Sequence, residues 1–159
     1  LRPESRGRIA LRSADPFDDP AIDPNYLAAD ADVDALVDGV KRAREIARQD
    51  ALSEYVGREV WPGEDARTDE EIARHVRETC HTVYHPVGTC KMGDDEAAVV
   101  DEELRVHGVE GLRVVDASVM PTLVGGNTNA PTIAVAERAA DLIRDRRPPN
   151  AQEPAAADD

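Results

Sequence analysis

Apolar residues between positions 31 and 50 recur at three- and four-residue steps: Val33, Leu36, Val37, Val40, Ala43, Ile46 and Ala47. That spacing draws one stripe along a helix. Asp30 or Asp32 can cap its start, and Lys41, Arg42, Arg44 and Arg48 lie toward the end where the macrodipole favours cations. Thr68-Asp-Glu-Glu71 reads as a capping box and predicts a second helix over 69–79, with Ile72, Val76 and Cys80 buried. Asn129 is positioned to cap a third helix, with Pro131 in its tolerant first turn. Its predicted buried stripe is Ile133, Ala136, Ala140 and Ile143, and Pro148-Pro149 end it.

The β signal is weaker. Residues 6–13 alternate basic or small with apolar, which predicts a short strand with one wet face. Leu104-Arg-Val106 and Leu112-Arg-Val-Val115 read as two more short β segments. Between them and the first strand, Pro16, Pro20 and Pro24 predict an extended connection with no regular element. The fold class expected is α/β, α+β locally. Residues 148–159 form an acidic, Ala-rich tail expected to be disordered.

Composition narrows the picture. The length of 159 residues suits one domain. Aromatic residues make up 3%, so the core must come from Val, Leu, Ile and Ala. Nineteen basic residues stand against 33 acidic ones, a net charge of -14, which argues against a nucleic-acid partner. No apolar run nears the roughly 20 residues of a membrane span. No charged-then-apolar leader is visible, and a cytoplasmic location is expected. The chain opens Leu1-Arg2-Pro3 without a Met and reads as a piece of a longer protein.

Two segments carry candidate chemistry: Cys80-His81 through Met92-Gly93, and Asp116-Ala117 through Asn129-Ala-Pro131. Cys80, His81, His85 and Cys90 are all zinc-ligand types. They crowd into eleven residues without a C-x2-C knuckle, so no metal site is expected. His75, His81 and His107 read as hydrogen-bonded structural residues, and Met92 and Met120 as packing.

The run His85-Pro-Val-Gly-Thr-Cys-Lys-Met-Gly93 closely resembles the C-terminal signature of the glucose–methanol–choline (GMC) oxidoreductases, flavoenzymes that oxidise alcohols. DASVMPTLVGGNTNAPTIAVAERAADLI, from Asp116, resembles the closing motif of that family. LRPESRGRIALRSADPFDDPAIDPNYL resembles its entry into the C-terminal substrate-binding region. The three matches fall in the family's order, and the nearest likeness is to choline dehydrogenase-like members. The resemblance implies that residues 1–110 belong to the substrate-binding domain and that 111–147 return to the FAD-binding domain with its last strand and helix. It implies FAD as cofactor, a small-molecule alcohol as substrate, and the remainder of the flavoenzyme upstream as partner. It also implies that His85 is the general base, that Asn127 binds the same substrate oxygen, and that Asp116, Ala117, Thr128 and Asn129 approach the flavin.

The chemistry of those residue types agrees. Hydride departs far more readily from an alkoxide than from an alcohol, so a base belongs at the hydroxyl, and imidazole suits that duty. An amide has no useful proton affinity, but its N–H can stabilise a developing negative oxygen. The family's G-x-G-x-x-G phosphate loop does not occur in this chain, so most of the cofactor's surface is expected elsewhere. The alternative reading is a stand-alone acidic helical interaction module without catalysis.

Overall fold

A computed structural model of the protein describes residues 2–146. The chain divides into two compact units, Arg2–Val83 and the part from Tyr84 onward. Helices and one two-stranded sheet make up the regular structure. No helix among the described residues is long and apolar enough to cross a membrane.

The first unit is built on two helices, α1 (Asp30–Ala47) and α2 (Asp69–Thr79). Val33 and Val37 of α1 pack with Ile72 and Val76 of α2, and Leu27, Val40, Ala66 and Ala73 close around them. Full burial of one such side chain is worth roughly 1.5–3 kcal/mol. The stripe on α1 is narrower than its sequence suggests, because Leu36 and Ile46 stay exposed. Helix α2 starts on the expected capping box: Thr68 Oγ1 accepts from the Glu71 backbone, and the Glu71 carboxylate accepts from Thr68 N–H. Cys80, expected inside, is exposed, because the helix ends at Thr79 and the chain turns extended there.

Neither Asp30 nor Asp32 caps α1, whose N-cap is Ala29. The Asp32 carboxylate turns away to accept from the backbone N–H groups of Glu4 and Ser5, at 2.8 and 2.9 Å, and from the Ser5 hydroxyl. It ties the N-terminal segment to the helix. At the other end, Arg44 forks onto both Glu59 oxygens and also donates to the Gly63 and Ala66 carbonyls.

The expected strand over 6–13 contracts to β1 (Arg8–Ala10), and it pairs antiparallel with β2 (Ala21–Asp23) in the register Arg8↔Asp23, Ile9↔Ile22, Ala10↔Ala21. The proline-rich stretch therefore does hold a strand. Pro20 and Pro24 flank the three residues instead of interrupting them, and a two-stranded sheet is all edge. Gly7 permits the close approach: a Cβ there would stand 2.2 Å from the Asp23 carbonyl oxygen.

The second unit packs Val100, Leu104, Val119 and Ala139 as its core, with Met92, Val99, Val106, Val114, Val115 and Val135 against them. The segments 104–106 and 112–115 do not form strands. They meet through the single bridge Arg105↔Arg113, and Val106 bridges separately to Val100. Leu104, Gly108 and Gly111 have φ of 65°, 75° and 73°, which breaks any extended run. Helix α3 (Asn129–Ile143) is the last regular element among the described residues. Its inward side is Val135 and Ala139, while Ile133 and Ile143 of the expected stripe are exposed. The helix is apolar on nearly every side, so the sequence alone does not single out one face. Residues 147–159, including the expected disordered tail, lie outside the described residues.

All five aromatic residues, Phe17, Tyr26, Tyr55, Trp61 and Tyr84, are more than half exposed. Aromatic side chains ordinarily dominate cores and interfaces.

Candidate active site

The site lies within the second unit. Two backbone hydrogen bonds fix its first segment: Cys90 N–H donates to the Ser118 carbonyl at 3.0 Å, and Met92 N–H to the Val119 carbonyl at 2.8 Å. Between His85 and that anchor, Gly88 turns the chain at φ 88°, a left-handed conformation that glycine adopts without steric cost. Val119 and Met120 are buried beneath, so both methionines serve packing. His85 is thereby carried to the start of α3.

Its two ring nitrogens meet consecutive residues. Asn127 Nδ2 lies 2.9 Å from His85 Nε2, and Thr128 Oγ1 lies 3.0 Å from His85 Nδ1. The His85 ring is half-buried, Asn127 is exposed and Thr128 is buried. One edge of the imidazole thus faces inward and the other faces out.

Thr128, not Asn129, is the N-cap residue of α3; Asn129 is the first helical residue, and no side chain caps the helix. The Thr128 hydroxyl is directed at His85 instead. Sequence reasoning put Thr128 near the flavin and missed this contact, since nothing local links residues 43 positions apart.

Asp116 adopts an extended backbone, and its carboxylate accepts from Ser118 N–H at 2.7 Å, starting the short 3-10 turn Ala117–Val119. Gly125, Gly126 and Asn127 are exposed, and a Cβ built on Gly126 would meet nothing within 4 Å. The remaining histidines have local partners: His81 Nδ1 reaches the Thr82 carbonyl, His107 Nε2 reaches the Gly93 carbonyl, and His75 stacks on Trp61. No group of three or more His, Cys, Asp or Glu side chains among the described residues is placed to hold a metal ion.

The imidazole of His85 and the amide of Asn127 thus meet directly, on the exposed side of the ring. Residues 3–136 match the family model of the GMC oxidoreductases, and the chain belongs to that family. It is 52% identical over 143 residues to an alcohol dehydrogenase [acceptor] of Pseudomonas putida, covering 90% of this chain and 26% of that one. It is 53% identical over 148 residues to an oxygen-dependent choline dehydrogenase of Pseudomonas fluorescens, covering 93% of this chain and 26% of that protein. Among solved structures, an FAD-dependent oxidoreductase from Chaetomium thermophilum superposes with a TM-score of 0.85 at 35% identity, over 91% of this chain and 25% of that one. The chain therefore spans about a quarter of the length of these relatives.

Proposed function

We propose that this chain is the C-terminal part of an FAD-dependent alcohol dehydrogenase or oxidase and carries its proton-handling pair. The single observation that supports it best is the 2.9 Å contact between Asn127 Nδ2 and His85 Nε2, made by residues 42 positions apart. A stand-alone interaction module gives no reason for that convergence.

An alcohol oxygen that takes the place of the direct His85–Asn127 contact can donate its proton to His85 Nε2 and accept from Asn127 Nδ2–H. His85 then holds the proton while Asn127 balances the charge left on oxygen. The exposed outer edge of the ring lets substrate approach, and the buried edge keeps the ring still. FAD supplies the two-electron acceptor for the carbinol hydride. The residues present suit such a group. Gly126 leaves open space for a flat ring to come close, and the uncapped start of α3 leaves the first-turn N–H groups of Asn129 and Ala130 for an electron-rich carbonyl edge. Asp116 and Ala117 complete the proposed flavin-facing set.

In this reading residues 1–110 serve the substrate-binding domain and 111–147 the flavin domain. The substrate is an alcohol, choline-like given the relatives' names. The remainder of the flavoenzyme is the partner that covers the exposed aromatics and the outer stripe of α3. A cytoplasmic location belongs to the same reading.

The test is His85→Ala in the complete enzyme. Flavin content should be retained, and anaerobic flavin reduction by the alcohol should slow by about 10²–10⁴-fold. Near-normal reduction would remove His85 from the mechanism.

A further inference from the structure

We infer that Thr128 is a positioning residue for His85: its hydroxyl oxygen accepts a hydrogen bond from Nδ1–H and so holds the ring in the tautomer whose Nε2 carries a lone pair. The inference rests on the reading of His85 as the base, and it assigns Thr128 a task distinct from contact with the flavin.

Three observations carry it. Thr128 is the one buried polar side chain among the described residues, at 9% exposure. A buried hydroxyl needs a partner, and this one has His85 Nδ1 at 3.0 Å. Thr128 also occupies the N-cap position of α3, where a threonine hydroxyl normally accepts from the first turn and contributes about 1 kcal/mol. Here it forgoes that bond in favour of the histidine. Finally, the amide nitrogen of Asn127 faces Nε2 at 2.9 Å, and an amide NH2 only donates. Nε2 must then accept, and the neutral ring bears its single proton on Nδ1, opposite Thr128.

The threonine is well held for the purpose. Its carbonyl accepts from Thr132 N–H at 3.0 Å and from the Thr132 hydroxyl at 2.6 Å, which anchors it in the first turn of α3. Its branched Cβ restricts χ1. With Asn127 on one nitrogen and Thr128 on the other, two adjacent residues fix both the plane of the ring and its tautomer. In the opposite tautomer Nε2–H would oppose Nδ2–H, and the alcohol proton would have no acceptor.

The experiment uses the complete flavoenzyme with 15N-labelled histidine, as wild type, Thr128→Val and Thr128→Ser. Long-range 1H–15N correlations identify which nitrogen of His85 is protonated, with His85→Asn used to assign its signals. In the wild type Nδ1 should carry the proton and Nε2 should be pyridine-like. Thr128→Val keeps the shape without the hydroxyl; it should populate the Nε2–H tautomer and slow flavin reduction by about 10–100-fold, the cost seen when metal-binding imidazoles lose the partner that orients them. The KM for alcohol should change little, and Thr128→Ser should restore both tautomer and rate. A wild-type signal with the proton on Nε2 would overturn the inference, and that measurement requires no variant. Unchanged tautomer and rate in Thr128→Val would overturn it too, while leaving His85 as base. Full activity in His85→Ala would instead remove the reading beneath it.

Discussion

Arg44 and Glu59 form a two-pronged ion pair, with Nε and Nη2 at 2.9 and 2.8 Å from the two carboxylate oxygens. The side chains are only 16% and 27% exposed, and the same guanidinium also closes the Gly63 and Ala66 carbonyls. Helix α1 is thereby stitched to the loop that leads into α2.

Lysine cannot reproduce that fork, since an ammonium is a point donor on a flexible stem. Arg44→Lys should cost about 1.5–3 kcal/mol, the range for lost hydrogen bonds to charged groups. Urea unfolding of wild type and variant measures it. A variant within a few tenths of the wild type would reduce the pair to a surface contact.

Acid should weaken both units for a related reason. The Arg44 guanidinium holds the Glu59 carboxyl below its ordinary range, the Ser5 hydroxyl does so for Asp32, the Thr68 backbone N–H for Glu71, and the Lys91 ammonium for Asp95. A folded-state value below the unfolded one means that each contribution is complete above the ordinary carboxylate range, near pH 4–5, and is lost as pH falls through the folded value. The stability difference between wild type and Glu59→Gln should accordingly be largest at pH 7 and shrink toward pH 3. A difference independent of pH would show that the carboxylate charge is immaterial.

The isolated 159-residue chain should bind FAD weakly or not at all. It lacks the glycine-rich phosphate loop, and the stretch 125–127, proposed to face the flavin, is exposed in this chain. Equilibrium dialysis against FAD tests it. Yellow, stoichiometric protein that survives dialysis would mean that the cofactor site is far more complete here than proposed.

Local signals were the legible part of the fold. The capping box at Thr68–Glu71 depends on four neighbouring residues, and α2 begins there as read. The 3.6-residue stripe located α1 but not its cap, because Asp32 is recruited by Glu4 and Ser5, 28 and 27 positions away. Strand β2 was invisible because three residues between two prolines carry no periodic pattern. The inner face of α3 could not be chosen from apolar residues that fall on nearly every side of the helix. At the site, residue types and motif order pointed to His85 and Asn127. The Thr128 hydroxyl was legible only in three dimensions, since its partner is distant in sequence and a threonine before a helix ordinarily caps it.

The pairing of His85 with Asn127 as base and oxyanion donor is tested most directly by stopped-flow flavin reduction in the complete enzyme with Asn127→Ala, Asn127→His and Asn127→Asp. Loss of one donor to a developing oxyanion should slow the alanine variant by roughly 10²–10³-fold. Histidine can still present an N–H and should retain much more activity. Aspartate should be slowest, because an ionised carboxylate donates nothing and repels the alkoxide. If Asn127 only holds a turn, the order reverses, since aspartate shares its turn geometry and histidine does not. An aspartate variant faster than the histidine variant would contradict the catalytic role of Asn127.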